Sequence, residues 1–464
     1  MSEDPLRALA AIAVDGWLVG GALRDRLLGR ETADFDVVLQ GDRAAVARQL
    51  ARRVGGHAFP LSEGFGVWRV VSRRSDWQVD LLPVAGGAIE ADLAARDFTV
   101  NAMARALGSD ELLDPFGGLA DLKSRRLRMV SGDAFANDPL RVLRLSRFAC
   151  ELSFTVETAT RVTARESAPG LRHVAAERVF YELRRLLSTP GALDGLSELE
   201  AVGATAAVLP ELDRLRGVDQ SHYHHLDVYE HTRAVLAQTI TLERDPEPVF
   251  GDRAPGIAAF LAQPFADELT RGQALRFGAL LHDIAKPLTQ ASGAGGRVTF
   301  IGHDARGAEI VREVLTRLRA SVQLREHVAA LTRHHLRLGF LVHAAPLDRR
   351  QIYRYLHETE PVHLDVTLLS VADRLATRGQ DSERAIQRHV ALARQLVDEA
   401  AAWIAAPPQA PVRGDELARS LGITPGPEVG RLLRELREAS FAGEVQTREE
   451  ALELAATLHR SSSG

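Results

Sequence analysis

Hydrophobic and polar positions divide the chain into two textures. Between residues 15 and 115, short apolar runs alternate with turns and two helical stretches, which predicts an α+β block built on a small mixed sheet. Strands are expected at Gly16–Val19, Phe35–Leu39, Gly66–Ser72, Trp77–Pro83 and Glu111–Asp114. After Asp133 the pattern becomes helical, and it stays so to the C-terminus.

Two amphipathic, arginine-rich helices are expected at Leu140–Leu152 and Ala175–Leu187. Prolines and glycines between Asp245 and Pro264 predict a loop, and Ala406–Pro411 is typical of a linker. The expected architecture is therefore a mixed-sheet head followed by helical segments.

Composition limits the class of protein. At 464 residues the chain is long enough for two to four domains, and its net charge of −5 offers no global basic field for nucleic acid. Nearly all the positive charge is arginine, which suits phosphate binding. A single cysteine, the lack of a signal-peptide pattern at the N-terminus and the lack of a long apolar run predict a cytoplasmic protein with no membrane partner.

The most informative local pattern is a glycine turn followed by paired carboxylates. Gly20 and Gly21 end an apolar run and open a helix that contains Arg24, an arrangement that can cradle a phosphate. Asp34 and Asp36 lie two residues apart in the next strand and so face one side. Such a pair suits Mg²⁺, which prefers hard oxygen ligands together with nucleotide phosphates. The alternative is a plain glycine turn followed by two solvated aspartates.

Further polar residues extend this candidate site. Asp80 lies in an apolar strand, and it would complete a two-metal cluster if that strand neighbours Asp34 and Asp36. Arg96, Asp97 and Asn101 are expected near one helical face, where the guanidinium could clamp a triphosphate. The alternative for Asp80 is an ordinary edge-strand residue.

A third pattern is Asp138-Pro139-Leu140-Arg141, followed by Arg144. Asp-Pro is a common helix start, with aspartate as the N-cap. The other interpretation is a fork in which the Asp138 acceptor and the Arg141 donor lie one helical turn apart and match the edge of cytosine or adenine.

Taken in order, these motifs resemble the class II tRNA nucleotidyltransferases, which comprise the CCA-adding enzymes and bacterial poly(A) polymerases. Glu177-Arg178 and Leu209-Pro210-Glu211-Leu212 also match that pattern. The resemblance implies a Mg²⁺-dependent head and a neck that selects the incoming base without a template. It implies tRNA and CTP as substrates, with ATP as a further candidate. Two positions depart from it: Ala95 replaces an arginine and Asn137 replaces an acid.

The segment Leu81–Ala91 is shorter than its counterpart in CCA-adding relatives and carries no basic residue. In those relatives a flexible polar loop at this place helps to switch from CTP to ATP. The short segment resembles the deletion of CC-adding enzymes, so CC addition is favoured over full CCA addition. The alternative is that a shorter loop still performs the switch.

A second candidate metal site lies downstream. An adjacent His-Asp pair, a preceding histidine and a distal aspartate resemble the ligands of the HD phosphohydrolases: His282, Asp283, His231 and Asp373. Imidazole and carboxylate ligands suit a divalent transition metal, whose bound water could attack a phosphoester. Three more histidines are candidates for a second ion there: His303, His334 and His335.

The sequence thus predicts four domains: a nucleotidyltransferase head at 1–125, a neck at 126–190, a helical body with the HD site at 191–400 and a helical, tRNA-binding tail at 401–464. The tail could instead be a plain helical hairpin. Less favoured functions are poly(A) synthesis, an HD phosphohydrolase with an inactive head, and a non-catalytic RNA-binding module. The sequence leaves the oligomeric state open.

Overall fold

The structure is a computed structural model that describes residues 4–12, 15–62, 64, 66–74, 76–220, 226–292, 298–377 and 382–462. The chain forms two compact units, residues 1–208 and 209–464. The first unit contains a seven-stranded sheet and helices, and the second is almost entirely helical. The expected α+β class is confirmed.

The sheet of the first unit has the strand order β3-β4-β5-β2-β1-β6-β7. Its central pair, β2 and β5, is parallel, and the other neighbouring pairs are antiparallel. The strand bounds are β1 Gly16–Val19, β2 Asp34–Leu39, β3 His57–Ser62, β4 Val67–Val71, β5 Gln78–Pro83, β6 Ala104–Ala106 and β7 Leu112–Leu113.

Helices cover the sheet and then continue beyond it. The helices of this unit are α1 Pro5–Ala10, α2 Gly20–Leu27, α3 Arg43–Val54, α4 Ile89–Ala94, α5 Gly118–Lys123, α6 Ala134–Asn137, α7 Arg141–Leu152, α8 Thr158–Ser167, α9 Ala176–Ser188, α10 Ala192–Ala201 and α11 Ala204–Val208. A short parallel pair, β8 Arg126–Leu127 and β9 Thr155–Val156, lies beside α7. Helices α7 and α9 pack together through apolar faces, because their leucines, valines and phenylalanines recur at helical spacing.

The second unit begins with α12 Pro210–Asp213. It continues with α13 Val228–Arg244, α14 Glu247–Phe250, α15 Ala254–Leu261, α16 Arg271–Leu281, α17 Lys286–Thr289, α18 His303–Arg317, α19 Val322–His334, α20 Arg337–Leu341, α21 Arg349–Glu358, α22 His363–Ala376, α23 Ser382–Ala405, α24 Gly414–Leu421, α25 Pro427–Phe441 and α26 Arg448–Ser462. A two-stranded ribbon, β10 Ala291–Ser292 and β11 Val298–Thr299, precedes α18. Helices α13, α16, α19 and α22 form the core of the second unit. Helices α24–α26 enclose a smaller apolar cluster of their own.

Most of the expected elements are present within one or two residues, including all five strands and both amphipathic helices. The loop expected at Asp245–Pro264 is wrong, since the segment forms α14, a 3-10 turn and α15. Pro248 and Pro255 occupy the first turns of those helices, where a missing N–H costs nothing. The linker at Ala406–Pro411 is confirmed between α23 and α24. The four-domain division stays a prediction.

No helix among the described residues is both long enough and apolar enough to cross a membrane.

Candidate active site and metal centre

An open cleft of about 670 Å³ lies in the first unit. Its lining contains every head and neck residue that the sequence analysis selected: Gly20, Gly21, Arg24, Asp34, Asp36, Asp80, Arg96, Asp97, Asn101, Asp138, Arg141 and Arg144. Residues far apart in the chain thus share one solvent-filled space. They do not all play the same part in it.

The glycine turn leaves space in the cleft beside Arg96 and Asp36. Strand β1 passes directly into α2 at Gly20, whose φ of +67° favours glycine. A Cβ at this position would lie 3.0 Å from Arg96 Nη1 and 3.4 Å from Asp36 Oδ2. A side chain here would therefore crowd the cleft as well as strain the backbone.

The three acidic residues lie side by side. Asp36 pairs with Asp80 in the parallel register of β2 and β5, which confirms that the two strands are neighbours. Burial raises the pKa of Asp36; Arg96 opposes that shift, and the nearby Asp80 and Asp34 add to it. Because clustered carboxylates repel one another, a bound divalent cation would stabilise this group. Their hard oxygen donors fit Mg²⁺.

Asp80 is already engaged. Both of its carboxylate oxygens accept hydrogen bonds from Arg69, at 2.7 Å each. The sequence analysis did not select Arg69, although it lies on an adjacent strand directly opposite Asp80. Asp80 would therefore act as a metal ligand only by sharing its oxygens with this guanidinium.

Asp97 is a buried hub rather than part of a helical face. Arg96 and Asp97 follow α4, and Asn101 ends a separate 3-10 turn, so the expected single helical face is wrong. Asp97 accepts hydrogen bonds from the backbone N–H of Phe98, from Asn101 Nδ2 at 3.0 Å and from Arg144 Nε at 2.7 Å. Burial opposes its ionisation, but Arg144 and these hydrogen bonds keep its pKa below the ordinary value.

Arg24 joins the same network from α2. Its Nη1 donates to Asn101 Oδ1 at 2.7 Å, and its other nitrogens bind Asp25. The side chain is buried, with the guanidinium 5.0 Å from the centre of the Phe148 ring. Arg24 therefore links β1–α2 to α7. Its three guanidinium nitrogens donate hydrogen bonds to the oxygens of Asn101 and Asp25.

The network continues along α7. Arg144 lies 3.7 Å from Glu182 on α9, and Arg147 donates to the same carboxylate at 2.6 Å. Arg147 and Glu182 are almost fully buried, and Arg147 also pairs with Glu151, so each buried charge has partners of opposite sign. This chain of ion pairs connects the glycine turn to α9.

The expected fork between Asp138 and Arg141 is not assembled. Arg141 donates to the backbone carbonyls of Ala95, Arg96 and Ala134. Asp138 accepts instead from Arg178 Nη2 at 2.8 Å and from the N–H of Leu140. The helix-start interpretation is therefore met in part, since Asp138 binds a backbone N–H just before α7.

Two further pairs were missed by the sequence analysis. Asp92, four residues before Arg96, accepts hydrogen bonds from Arg96 Nε at 3.0 Å and from Arg96 Nη2 at 2.8 Å. A spacing of four residues is a usable signal for an ion pair, although Arg96 itself lies just after α4. The second pair joins Arg147 on α7 to Glu182 on α9. It forms through tertiary packing, and the spacing of the two residues in the sequence does not predict it.

The second unit gathers four of the expected metal ligands. His231, His282 and Asp283 hold potential ligand atoms within 4.8 Å of one another. His231 Nε2 also lies 3.0 Å from Asp373 Oδ1. Burial would raise the pKa of Asp373, but the hydrogen bond from His231 keeps this pKa below its ordinary value. The four side chains come from α13, the end of α16 and α22.

Asp283 also belongs to a second group with His303 and His335. Its Oδ1 lies 3.3 Å from His303 Nε2 and 3.8 Å from His335 Nε2. Burial, together with the neighbouring His282, lowers the pKa of His335 to about 4. The ring is therefore neutral at physiological pH, which is the form that binds metal.

Ring orientation supports a metal centre. The Nδ1 atoms of His282, His303 and His335 each lie within 3 Å of a backbone carbonyl three residues earlier. This leaves each Nε2 for the centre, as metal-binding histidines require. His282 Nε2 is buried and lies 3.1 Å from Asp283 Oδ2, and this set of imidazole and carboxylate donors fits a divalent transition metal.

One expected ligand is not among these groups. His334 lies outside both of the clusters found in the described residues, and its pKa is lowered by burial and by Arg337 and Arg333. Lys286 is a residue that the sequence analysis did not select. Its Nζ lies 2.6 Å from Asp283 Oδ2 and donates to Gln220.

Comparisons with known families agree with both sites. A poly(A) polymerase head domain matches residues 16–84 and 69–128, and a probable RNA- and SrmB-binding site of polymerase A matches residues 153–215. An HD domain matches residues 228–378.

Curated relatives cover nearly the whole chain. An A-adding tRNA nucleotidyltransferase of Deinococcus radiodurans is 41% identical over 94% of this chain and 93% of its own. A CC-adding tRNA nucleotidyltransferase of Thermus thermophilus is 36% identical over 94% of this chain and 92% of its own. A solved CCA-adding enzyme, at 20% identity, aligns over 97% of this chain and 94% of its own with a TM-score of 0.65.

The chain therefore belongs to the class II tRNA nucleotidyltransferases that carry a poly(A) polymerase head and an HD domain. Its relatives include enzymes named A-adding, CC-adding and multifunctional CCA proteins.

Replacing Asp97 by Asn should destabilise the first unit by about 2–4 kcal/mol, because Arg144 loses its buried partner. Urea unfolding followed by tryptophan fluorescence measures this, since Trp17, Trp68 and Trp77 are three of the four tryptophans. The exposed Asp110→Asn is the control and should change stability by less than about 0.5 kcal/mol. Equal stability of Asp97→Asn and the parent would contradict the hub.

The same pair of proteins has a predicted pH dependence. Because the folded pKa of Asp97 is lowered, its stabilisation is present above the unfolded value near 3.8 and is lost as pH falls below it. The stability difference between parent and Asp97→Asn should therefore shrink from about pH 5 downward. A constant difference across that range would show that ionisation of Asp97 is irrelevant.

Replacing His282 by Ala should remove bound transition metal, because one buried ligand of the first group is lost. Metal content after anaerobic loading and desalting is measured by plasma mass spectrometry. His334→Ala is the matched control, since His334 lies outside both groups, and it should retain the metal of the parent. Equal metal loss in both variants, or no metal in the parent, would contradict this centre.

Proposed function

We propose that the protein is a template-independent tRNA 3′-end nucleotidyltransferase that adds CMP and stops before the terminal A. The observation that carries this proposal is the packing of the segment between Asp80 and Asp92. A cleft that cannot reshape beside its nucleotide keeps one base specificity. We place the enzyme in the cytosol, with tRNA and CTP as its substrates.

The segment between Asp80 and Asp92 is folded and packed beside the cleft. After β5 it forms a 3-10 turn and then α4, in which Ile89 is buried against Leu93. Gly86 has a φ of +65°, and a Cβ there would meet the Ala91 side chain at 2.7 Å. The N–H of Ala85 lies 3.3 Å from Asp92, the partner of Arg96.

The residues of the cleft divide into ligands and supports. Asp34 and Asp36 would hold Mg²⁺, which supplies charge neutralisation for the triphosphate and lowers the pKa of the attacking 3′-hydroxyl. The glycine turn leaves room for phosphate at the start of α2, and Arg96 lies beside it. Arg24, Asn101 and Asp97 support the glycine turn through the hydrogen bonds that connect them.

Base selection falls to the start of α7. Asp138 is an acceptor already oriented by Arg178, and it favours the amino group of cytosine over the carbonyl of uracil. Arg141 would complete the fork by exchanging its bonds to the carbonyls of Ala95 and Arg96 for bonds to the base.

A second candidate is addition of the terminal A alone. It is favoured by the 41% identity to the A-adding enzyme of Deinococcus radiodurans. A fixed cleft is compatible with one base of either kind, and adenine presents an amino group next to a ring nitrogen as cytosine does. Full CCA addition would instead require the cleft to change its base preference after two cytidines.

The HD centre would carry a separate metal-dependent phosphoesterase activity. His231, His282, Asp283 and Asp373 would hold the metal, which supplies a nucleophilic water near neutral pH. Lys286, bound to Asp283, is placed to meet a phosphate oxygen.

Replacing Asp36 by Ala should lower nucleotide addition by about a thousandfold or more, because a ligand of the catalytic metals is lost. Hydrolysis of a phosphomonoester by the loaded HD centre should be unchanged. His282→Ala should show the reverse, and the exposed Asp110→Ala should leave both activities intact. Near-parental addition by Asp36→Ala would contradict the assignment of the head.

Two tRNA substrates separate the candidates for base specificity. With tRNA lacking its three terminal nucleotides, CTP and ATP together should yield products extended by two cytidines and little AMP. With tRNA already ending in two cytidines, ATP should be a poor substrate. Products are resolved on sequencing gels, with tRNA carrying a complete 3′ end as the control that gains nothing.

Efficient AMP addition only to tRNA ending in two cytidines would establish the A-adding alternative. Addition of all three nucleotides to the shortened tRNA would show that the packed segment still permits the switch.

A further inference from the structure

Helix α9 presents a stripe of three side chains to the cleft. Arg178, Tyr181 and Arg185 line it and lie three and four residues apart, on one helical face. Arg178 binds Asp138, as described above. The role of Tyr181 is not explained by the chemistry of the head or by the reading of the incoming base.

The Tyr181 ring is exposed but held. Its side chain is 44% exposed on the wall of the cleft, although it belongs to a helix whose other face is buried. The Arg185 Nη1 donates to its hydroxyl at 3.3 Å, and the guanidinium carbons of Arg184 and Arg185 lie 5.3 and 5.7 Å from the ring centre. Arg185 is in turn bound to Glu151.

A partly exposed aromatic ring held beside two guanidiniums is suited to single-stranded RNA. Bases of any sequence stack on such rings, and neighbouring arginines bind the phosphates. A ring already held in place loses little conformational entropy when a base binds to it. An exposed tyrosine on an ordinary solvated surface would need none of these contacts.

The position of the ring points to the RNA end rather than to the incoming nucleotide. Tyr181 lies three residues after Arg178 on α9, which is about 4.5 Å along the helix axis. This is comparable to the step of about 3.4 Å between stacked bases. If the incoming base lies at Asp138, the next base of a continuous stack therefore lies near Tyr181.

We propose that Tyr181 is the platform on which the 3′-terminal base of the RNA stacks while the next nucleotide is added. This proposal rests on the proposed nucleotidyltransferase function and adds a positioning residue for the RNA substrate. Its ring would hold the terminal ribose near the carboxylates Asp34 and Asp36. The stacking is independent of base identity, so it would serve each position of the growing end.

Two variants separate the ring from its hydroxyl. Tyr181→Leu removes the aromatic face, and it should raise the KM for tRNA about tenfold, since loss of one base–aromatic stack weakens binding roughly five- to hundredfold. The KM for CTP should stay within about twofold. Tyr181→Phe keeps the ring and should restore the parental KM for tRNA. Phe59→Leu is the matched control, an equally exposed aromatic residue on β3 that does not line the cleft.

A spectroscopic measurement tests stacking itself. An RNA hairpin with 2-aminopurine as its 3′-terminal nucleotide should lose fluorescence on binding to the parent, Tyr181→Phe and Phe59→Leu proteins, but not on saturating binding to Tyr181→Leu. Parental quenching and parental KM for tRNA in Tyr181→Leu would overturn the proposal. So would equal defects in the Leu and Phe variants, or an equal rise in the KM for CTP.

Failure of the parent to add any nucleotide to tRNA would instead count against the proposed function. The fluorescence measurement would still decide whether Tyr181 stacks on the RNA end.

Discussion

The ion pair between the buried Asp97 and the partly buried Arg144 is the contact on which the first unit depends. It is fixed by Asn101 on one side and by Glu182 on the other, and Asn101 passes the connection to Arg24 at the glycine turn. Buried charges are stable only as complete sets, because a single unpaired member is strongly destabilising. The network therefore specifies one arrangement of β1, α2, α7 and α9, and that arrangement brings the acidic residues of the sheet and the start of α7 into one cleft.

Rigidity of this kind has a functional consequence. The segment after Asp80 is packed into the same body, with Ile89 in the core and Asp92 paired to Arg96. The proposal that the enzyme adds one kind of base rests on this packing of the segment after Asp80. The HD centre is organised differently: the Nδ1 atoms of His282, His303 and His335 face backbone carbonyls, and Asp283, which both groups share, is paired with Lys286.

Sequence patterns predicted the parts whose signal is local. The glycine turn, the spacing of Asp34 and Asp36, and the adjacent His282-Asp283 pair all depend on near neighbours in the chain, and the strands follow their apolar runs. The bonds of Arg141 to backbone carbonyls and of Arg69 to Asp80 arise only when distant elements meet. Proline misled the prediction for residues 245–264, because it both breaks helices and begins them. Adjacent histidines look alike in sequence, yet the structure brings His335 and not His334 into the metal groups.

Native-state hydrogen exchange tests most directly whether this network makes one site of the sheet and the helices beyond it. Amides of β1 and β2, of the 3-10 turn at Thr99–Asn101 and of α7 and α9 should open together, with one free energy equal to that of global unfolding of the unit. Such a common value would mean that the carboxylates and the start of α7 cannot separate without unfolding. A lower opening free energy for α7 and α9 than for the sheet strands would contradict the account, because the cleft would then join two independently opening parts.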